Sequence, residues 1–173
     1  VEKYVSIREH RPERKVKKQK ISKVERRNQI LIEEIKKRIH YFPTVFREKR
    51  CLDNRILSYS AGKSDVKYFV SVEDRNGDSF VSIQFTKETG EIYKEIEKNG
   101  EIFRNKIGYN VEFDDESFII RTDIKDKEFI YKTIDNLAQV FEGYVFYLSN
   151  YIFYYKAHVE NSMWNQHKEG TFY

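Results

Sequence analysis

Apolar residues recur along the chain at two spacings, and the change from one spacing to the other marks out the elements. Over residues 22–41 they fall three or four positions apart, which predicts an amphipathic helix. Ser22 and Glu25 form a capping box, in which each side chain satisfies a backbone N–H group at the start of a helix. Pro43 cannot continue the helix and ends it.

Alternation of apolar and polar residues replaces this spacing over residues 66–73 and 79–85, which predicts two strands. The pair Asn76-Gly77 between them favours a tight hairpin turn, because such turns need residues that tolerate a positive φ. Residues 109–113 and 118–123 form a second strand pair around an acidic turn, Asp114-Asp115-Glu116. The chain therefore predicts two antiparallel hairpins.

A helix follows each hairpin. Over residues 92–107 the apolar residues share one helical face, and Gly108 supplies the left-handed residue that ends the helix. Asn99-Gly100 inside this stretch leaves another hairpin open as an alternative. Asp126 caps a long final helix, whose three- and four-residue apolar rhythm continues to residue 155. Residues 44–64 fit a short helix followed by a loop or a strand.

The order of these elements predicts an α+β domain that contains two ββα units and an additional N-terminal helix. Its sheet has four largely antiparallel strands, and helices pack on one face. Residues 1–21 form a basic arm, residues 22–156 a single domain and residues 157–173 a C-terminal tail. A chain of 173 residues is long enough for one domain with a sizeable core.

Composition narrows the class of protein. With 16% aromatic residues the chain is too rich in large apolar groups to be disordered, although 35% of its residues are charged. No apolar run approaches the roughly 20 residues that span a bilayer, so we expect no membrane partner. The single cysteine, Cys51, cannot form an internal disulfide and suits a reducing compartment, which predicts a cytoplasmic protein.

Positive charge is concentrated at the front of the chain. Residues 1–30 contain 11 Lys and Arg against 4 Glu, a net charge of +7, whereas the other residues carry a net charge of −3. Closely spaced cations neutralise phosphates and release counterions, so this segment predicts contact with a nucleic acid. The alternatives are a solvated tail and a contact with an acidic protein. The predicted nucleic-acid contacts are Arg8, Arg11, Arg14, Lys15, Lys17, Lys18, Lys20, Lys23, Arg26 and Arg27.

Eight aromatic residues lie within residues 141–155, inside the predicted final helix. Helical spacing buries about half of them in the core and leaves the others as a large apolar area. Such an area is typical of a protein partner or a homodimer interface, with stacking on unpaired bases as the alternative. The predicted interface residues are Tyr144, Tyr147, Tyr151, Tyr154 and Tyr155.

One arrangement of carboxylates bears on catalysis. Asp115 precedes Asp123 by eight residues across a predicted strand, and Lys125 follows. This order is loosely similar to that of restriction-type nucleases, in which a divalent ion activates water and a lysine steadies charge. In a chain this rich in charge the pattern arises readily by chance, so these three residues are secondary candidates. The histidines lack zinc-ligand spacing with Cys51, and we predict no cofactor and no metal site.

Three stretches of the central region carry a resemblance to a known family: YFVSVEDRNGDSFVSIQF, EIYKEIEKNGEIFRNKIGYNVEF and FIIRTDIKDKEFIYKTIDNL. Over residues 66–151, about half of the chain, they resemble an uncharacterised bacterial domain that is fused to, or encoded beside, restriction-type nuclease and other defence modules. These stretches contain no catalytic signature, so the resemblance assigns no site residue. The order of elements is also similar to that of secretion chaperones, which dimerise to hold a client.

These observations predict a non-enzymatic nucleic-acid-binding module, accessory or regulatory, of a bacterial or phage system. Its phosphate contacts come from the basic N-terminal region. The alternatives are a protein-interaction or chaperone-like dimer that uses the aromatic C-terminal helix, and a metal-dependent nuclease of the restriction type.

Overall fold

The computed structural model describes residues 20–39, 52–124 and 129–168, with side chains described as far as Phe153. The described residues form four α-helices, five strands and one 3-10 turn, which confirms the α+β class. In chain order these are α1 (Lys23–Arg38), β1 (Leu57–Ser60), β2 (Lys67–Ser71), β3 (Phe80–Gln84), the 3-10 turn (Lys87–Thr89), α2 (Gly90–Lys98), α3 (Gly100–Ile107), β4 (Glu112–Asp114), β5 (Ile119–Asp123) and α4 (Ile130–Lys168).

The five described strands form one antiparallel sheet in the order β1-β2-β3-β5-β4. The sequence predicted four strands, and the additional one is β1, which lies at an edge with Leu57 opposite Val70. Leu57 and Tyr59 of β1 are buried, whereas Ser58 and Ser60 are half-buried. This alternation covers only four residues, which is too short a pattern to distinguish a strand from a loop in the sequence.

The predicted hairpin between β2 and β3 is confirmed. Gly77 in its turn has a φ of +81°, a conformation that glycine adopts without steric cost. The Asp74 carboxylate accepts hydrogen bonds from the backbone N–H groups of Asn76 and Asp78, at 2.9 and 2.8 Å. The turn is therefore held by an aspartate side chain as well as by the glycine.

The core lies between one face of the sheet and the helices, and α1 packs mainly against α4. The rings of Tyr59 and Tyr68 contact the ring of Phe141 in α4, with centroids 5.8 and 5.5 Å apart. Leu31 and Ile35 of α1 are fully buried. Burial of a side chain of this size stabilises the fold by about 1.5–3 kcal/mol. The sheet and α1 thus hold α4 between them.

The predicted start of α1 is confirmed, because the Ser22 hydroxyl accepts a hydrogen bond of 3.1 Å from the backbone N–H of Glu25. Asn28 is a polar residue within the buried stripe of α1. Its side-chain amide donates to the carbonyl oxygens of Leu52 and Asn54, both at 2.7 Å, and ties α1 to the segment before β1. Most of the predicted arm, the predicted end of this helix and the predicted short helix lie outside the described residues.

The helical stretch after β3 is interrupted. Two helices, α2 and α3, meet at Asn99, so the pair Asn99-Gly100 breaks the helix and does not form a hairpin. Gly100 packs against the ring of Phe113, where an added Cβ would lie 3.2 Å from the nearest ring atom. Helix α3 ends, as predicted, at Gly108 with a φ of +77°.

Helix α4 extends over 39 residues to Lys168, beyond residue 155 at which the predicted helix ends. The predicted apolar stripe is buried at Ile134, Leu137, Phe141, Val145, Leu148 and Ile152. After residue 155 no proline or glycine occurs before Gly170, so the backbone continues as a helix where the apolar rhythm stops. In the described parts of the chain, no helix combines the length and the apolarity that a membrane crossing requires.

Candidate functional site

The N-terminal end of α1 carries positive charge on its surface. Lys20, Lys23 and Arg26 are exposed and follow each other at three-residue steps. Within the described part of the chain none of them forms an ion pair with an acidic residue. The dipole of the helix adds partial positive charge at the same end. We call these three residues the basic end of α1.

Arg27 lies in the same turn but in a different environment. Its guanidinium Nη1 is 3.6 Å from Oε2 of Glu73, and its side chain is only 20% exposed. Glu73 lies two residues beyond the end of β2, so this ion pair connects α1 to the end of the sheet. Arg27 therefore has a structural partner that the three residues of the basic end lack. The other predicted nucleic-acid contacts, residues 8–18, lie outside the described residues.

Tyr144 is a core residue and not a surface residue. It is fully buried, and its hydroxyl lies 2.6 Å from Oγ1 of Thr122 in β5. Burial raises the pKa of the Tyr144 hydroxyl far above its usual range. Its ring also meets the ring of Phe103 edge to face, at 5.1 Å between centroids. Tyr144 cannot contribute to the predicted interface because it points from α4 into the core.

Tyr147 and Tyr151 are half-buried on α4. The ring of Tyr147 contacts the ring of Phe146 edge to face at 5.0 Å, and the ammonium of Lys106 lies 6.0 Å from its centroid. The Tyr151 hydroxyl accepts a hydrogen bond of 3.5 Å from the side-chain amide of Asn99, and burial raises its pKa. The side chains of Tyr154 and Tyr155, also predicted at the interface, lie outside the described residues.

Two phenylalanines of α4 are more exposed than Tyr144, Tyr147 and Tyr151. Phe146 is 60% exposed and Phe153 is 50% exposed. They are seven residues apart and therefore lie on one face of the helix, two turns from each other. Both lie outside the apolar stripe that the sequence assigns to the core. Their helical position was therefore the signal that could have predicted their exposure.

The two candidate catalytic carboxylates lie at opposite ends of β5. Asp114 pairs with Ile119 at the start of the strand, and Asp115 follows in the turn, whereas Asp123 is the last residue of the strand. A strand of this length separates its ends by about 13 Å. Asp123 instead binds Arg121, whose Nη2 and Nε lie 2.8 and 3.1 Å from Oδ1.

Lys125 lies outside the described residues. Among the described residues, no group of three or more His, Cys, Asp or Glu is arranged to hold a metal ion. The described parts of the chain therefore do not assemble the carboxylate pair that the nuclease interpretation needs.

Asp115 belongs to a different cluster, with Tyr93 and Glu97 of α2. The Tyr93 hydroxyl lies 2.8 Å from Oδ1 of Asp115 and 3.3 Å from Oε2 of Glu97. Because a phenol has one hydrogen, it can donate fully to only one carboxylate at a time. A hydrogen bond shared with Asp115 raises the pKa of Glu97, and the same contact lowers the pKa of Asp115. Burial raises the pKa of Tyr93 beyond its usual range.

The face of the sheet that lies away from the core forms a groove of about 450 Å³. Ser58, Phe69, Ser82, Arg121 and Glu112 lie in one row across the five strands, as their register shows. The groove is lined by Ile56, Phe69, Phe80, Ser82, Gln84, Glu112, Phe113, Asp114, Ile119 and Arg121. The guanidinium of Arg121 lies over the Phe80 ring, 3.9 Å from its centroid. The sequence predicted helices on one face of the sheet, but no pattern in it predicted a groove on the other face.

Comparison with known proteins gives no relative from which a site could be transferred. No protein-family model matches the chain, and no curated protein and no solved structure matches it either.

Proposed function

We propose that the chain is a non-enzymatic nucleic-acid-binding module, an accessory or regulatory part of a bacterial or phage system. The observation that supports this proposal is the basic end of α1, where Lys20, Lys23 and Arg26 are exposed and lack acidic partners among the described residues. Free cations at a helix N-terminus suit a polyanion, since each phosphate contact releases a condensed counterion. Binding of this kind depends on charge and is blind to base sequence.

The contact that we infer is made by flexible side chains and not by a shaped pocket. Lys23 and Arg26 are three residues apart, which corresponds to a rise of about 4.5 Å along the helix. Long Lys and Arg side chains can adjust from there to neighbouring phosphates. The basic residues that precede Lys20 in the sequence continue the same charge, and the acidic remainder of the chain directs a polyanion to this end.

The test is the affinity of the full chain for a 20-base-pair duplex at low salt, measured by fluorescence anisotropy. The triple variant Lys20→Gln, Lys23→Gln, Arg26→Gln should bind more weakly by about tenfold or more. The matched control is Lys63→Gln, Lys87→Gln, Lys94→Gln, which removes the same charge from three exposed lysines elsewhere. Equal losses in the two variants would show that net charge, and not the basic end of α1, governs binding.

A second candidate function, a protein-interaction or chaperone-like dimer, is supported by α4. Phe146 and Phe153 expose half or more of their surface on one face of this helix. Large exposed aromatic side chains are enriched in protein interfaces, because their burial yields much apolar area at a small cost in side-chain entropy. This function is compatible with nucleic-acid binding, since the basic end of α1 is a separate set of residues.

A further inference from the structure

The groove on the sheet has walls of different chemistry. On the β2 side stands Phe69, which is half-buried, and Ile56 before β1 is 43% exposed at the rim. On the β4 side stand Glu112 and Asp114, both exposed. Phe69 and Glu112 belong to the same row but are separated by three strand spacings, which amounts to about 14 Å. This width accommodates one extended polypeptide.

The acidic wall lacks counter-charge. Neither Glu112 nor Asp114 forms an ion pair within the described part of the chain. Arg121 is the only basic side chain among the described residues that line the groove. It is already engaged by Asp123 at 2.8 Å and by Asp78 at 3.7 Å. The groove is therefore negative on balance, which disfavours a nucleic acid and favours a cationic ligand.

The spacing of the two carboxylates points to the form of that ligand. Glu112 and Asp114 are two residues apart on a strand, so they project to the same face about 7 Å from each other. Alternate side chains of an extended peptide have the same separation. The intervening side chain of such a peptide points the other way, toward Phe69. Ser82 and Gln84 on the floor supply hydrogen-bonding groups for its backbone.

We propose that this groove binds an extended segment of a partner polypeptide in which a basic residue, an apolar residue and a second basic residue follow one another. The two basic side chains pair with Glu112 and Asp114, and the apolar side chain packs against Phe69. Charge complementarity selects the ligand and the apolar wall sets its register. The groove thus gives the module a protein-binding surface that is distinct from the basic end of α1.

The probe is a fluorescein-labelled ten-residue peptide of alternating Lys and Leu, titrated with the full chain. There are two control peptides. The first has the same composition but groups the lysines together, and the second has Glu in place of Lys. We expect binding of the alternating peptide only. The variant Glu112→Gln, Asp114→Asn should weaken binding roughly tenfold. Asparagine keeps the oxygen of Asp114 that accepts from the backbone N–H of Glu116, so the turn is preserved.

The control is Glu116→Gln, which removes one exposed charge near the groove without touching its lining, and its affinity for the peptide should equal that of the wild type. If Glu116→Gln weakened peptide binding as much as the groove variant does, the loss would come from net charge alone, and the proposal would be overturned. Equal binding of the grouped-lysine peptide would also overturn it. If the groove variant instead shifted the chain from dimer to monomer in sedimentation, the occupant would be a second copy and the proposal would be wrong. Duplex binding should not weaken in the groove variant, which separates this test from that of the basic end of α1.

Discussion

The guanidinium of Arg27 lies 3.6 Å from the carboxylate of Glu73, and this pair joins α1 to the end of β2. Arg26, its neighbour in sequence, is exposed and has no such partner among the described residues. Two adjacent arginines of one basic segment therefore differ in role. One holds the helix to the sheet, and the other is available to a ligand.

This difference can be measured as stability. We expect Arg27→Gln to lower the free energy of unfolding by up to about 1 kcal/mol, because a half-buried ion pair is lost. Arg26→Gln should change it by less than about 0.5 kcal/mol. Urea denaturation followed by circular dichroism compares the two variants. Equal effects would mean that the contact with Glu73 does not stabilise α1.

The buried contact between Tyr144 and Thr122 gives a larger effect. Tyr144→Phe leaves the Thr122 hydroxyl without its partner in the core, which should cost about 1–3 kcal/mol. The double variant Tyr144→Phe, Thr122→Val removes both polar groups and should be less destabilised than the single variant. Tyr147→Phe, on the half-buried face of α4, is the control and should cost little. A double variant less stable than Tyr144→Phe would contradict a satisfied polar pair in the core.

The cluster of Tyr93, Glu97 and Asp115 predicts a pH dependence. Since the folded state raises the pKa of Glu97, this residue favours folding most at low pH, and the benefit is lost as the pH rises through the raised pKa. Glu97→Gln is neutral throughout. Its melting temperature relative to the wild type should therefore increase between pH 4 and pH 7, by about 1 °C.

The lowered pKa of Asp115 acts in the opposite direction, since its contribution is lost as the pH falls through that lowered value. Glu91→Gln, which removes a carboxylate at an exposed position on the same helix, is the comparison variant. Differential scanning fluorimetry at four pH values measures the melting temperatures of the wild type and both variants. A flat difference for Glu97→Gln would exclude a shared hydrogen bond between the two carboxyl groups.

Self-association through α4 predicts a specific role for Phe146. If this face pairs two chains, Phe146→Ser should raise the dimer dissociation constant by at least about tenfold, since a large apolar side chain is no longer buried. Tyr131→Ser, at an equally exposed aromatic position near the start of the helix, should have no effect. Sedimentation velocity over a range of concentrations measures both. A wild-type chain that stays monomeric at high concentration would rule out this interface.

Long periodic segments made most of the fold predictable from the sequence. The stripe from Ile134 to Ile152 identified the core face of α4, and Asn76-Gly77 identified the hairpin between β2 and β3. The sequence left β1 open between a loop and a strand, because four residues carry too little pattern. The helix breaks at the pair Asn99-Gly100, and Gly100 lies against the ring of Phe113, a contact that no local pattern in the sequence reports.

The candidate sites were less predictable, because they depend on tertiary contacts. Charge alone could not show that Arg27 pairs with Glu73 while Arg26 does not. Helical spacing is enough to assign Tyr144 to the core and Phe146 to the surface. The predicted interface depended instead on the number of aromatic residues in the segment, which does not distinguish buried from exposed positions. The sequence predicted the pairing of β4 with β5 but placed Asp114 in the turn, whereas Asp114 is the last residue of β4 and pairs with Ile119.

The salt dependence of duplex binding tests the central proposal most directly. The logarithm of the association constant should fall linearly with the logarithm of the salt concentration, with a slope of about −0.9 for each phosphate contact. The triple variant Lys20→Gln, Lys23→Gln, Arg26→Gln should have a slope shallower by about 2.7, because three contacts are lost. Arg27→Gln should keep the wild-type slope. Identical slopes in the triple variant and the wild type would contradict phosphate binding by the basic end of α1.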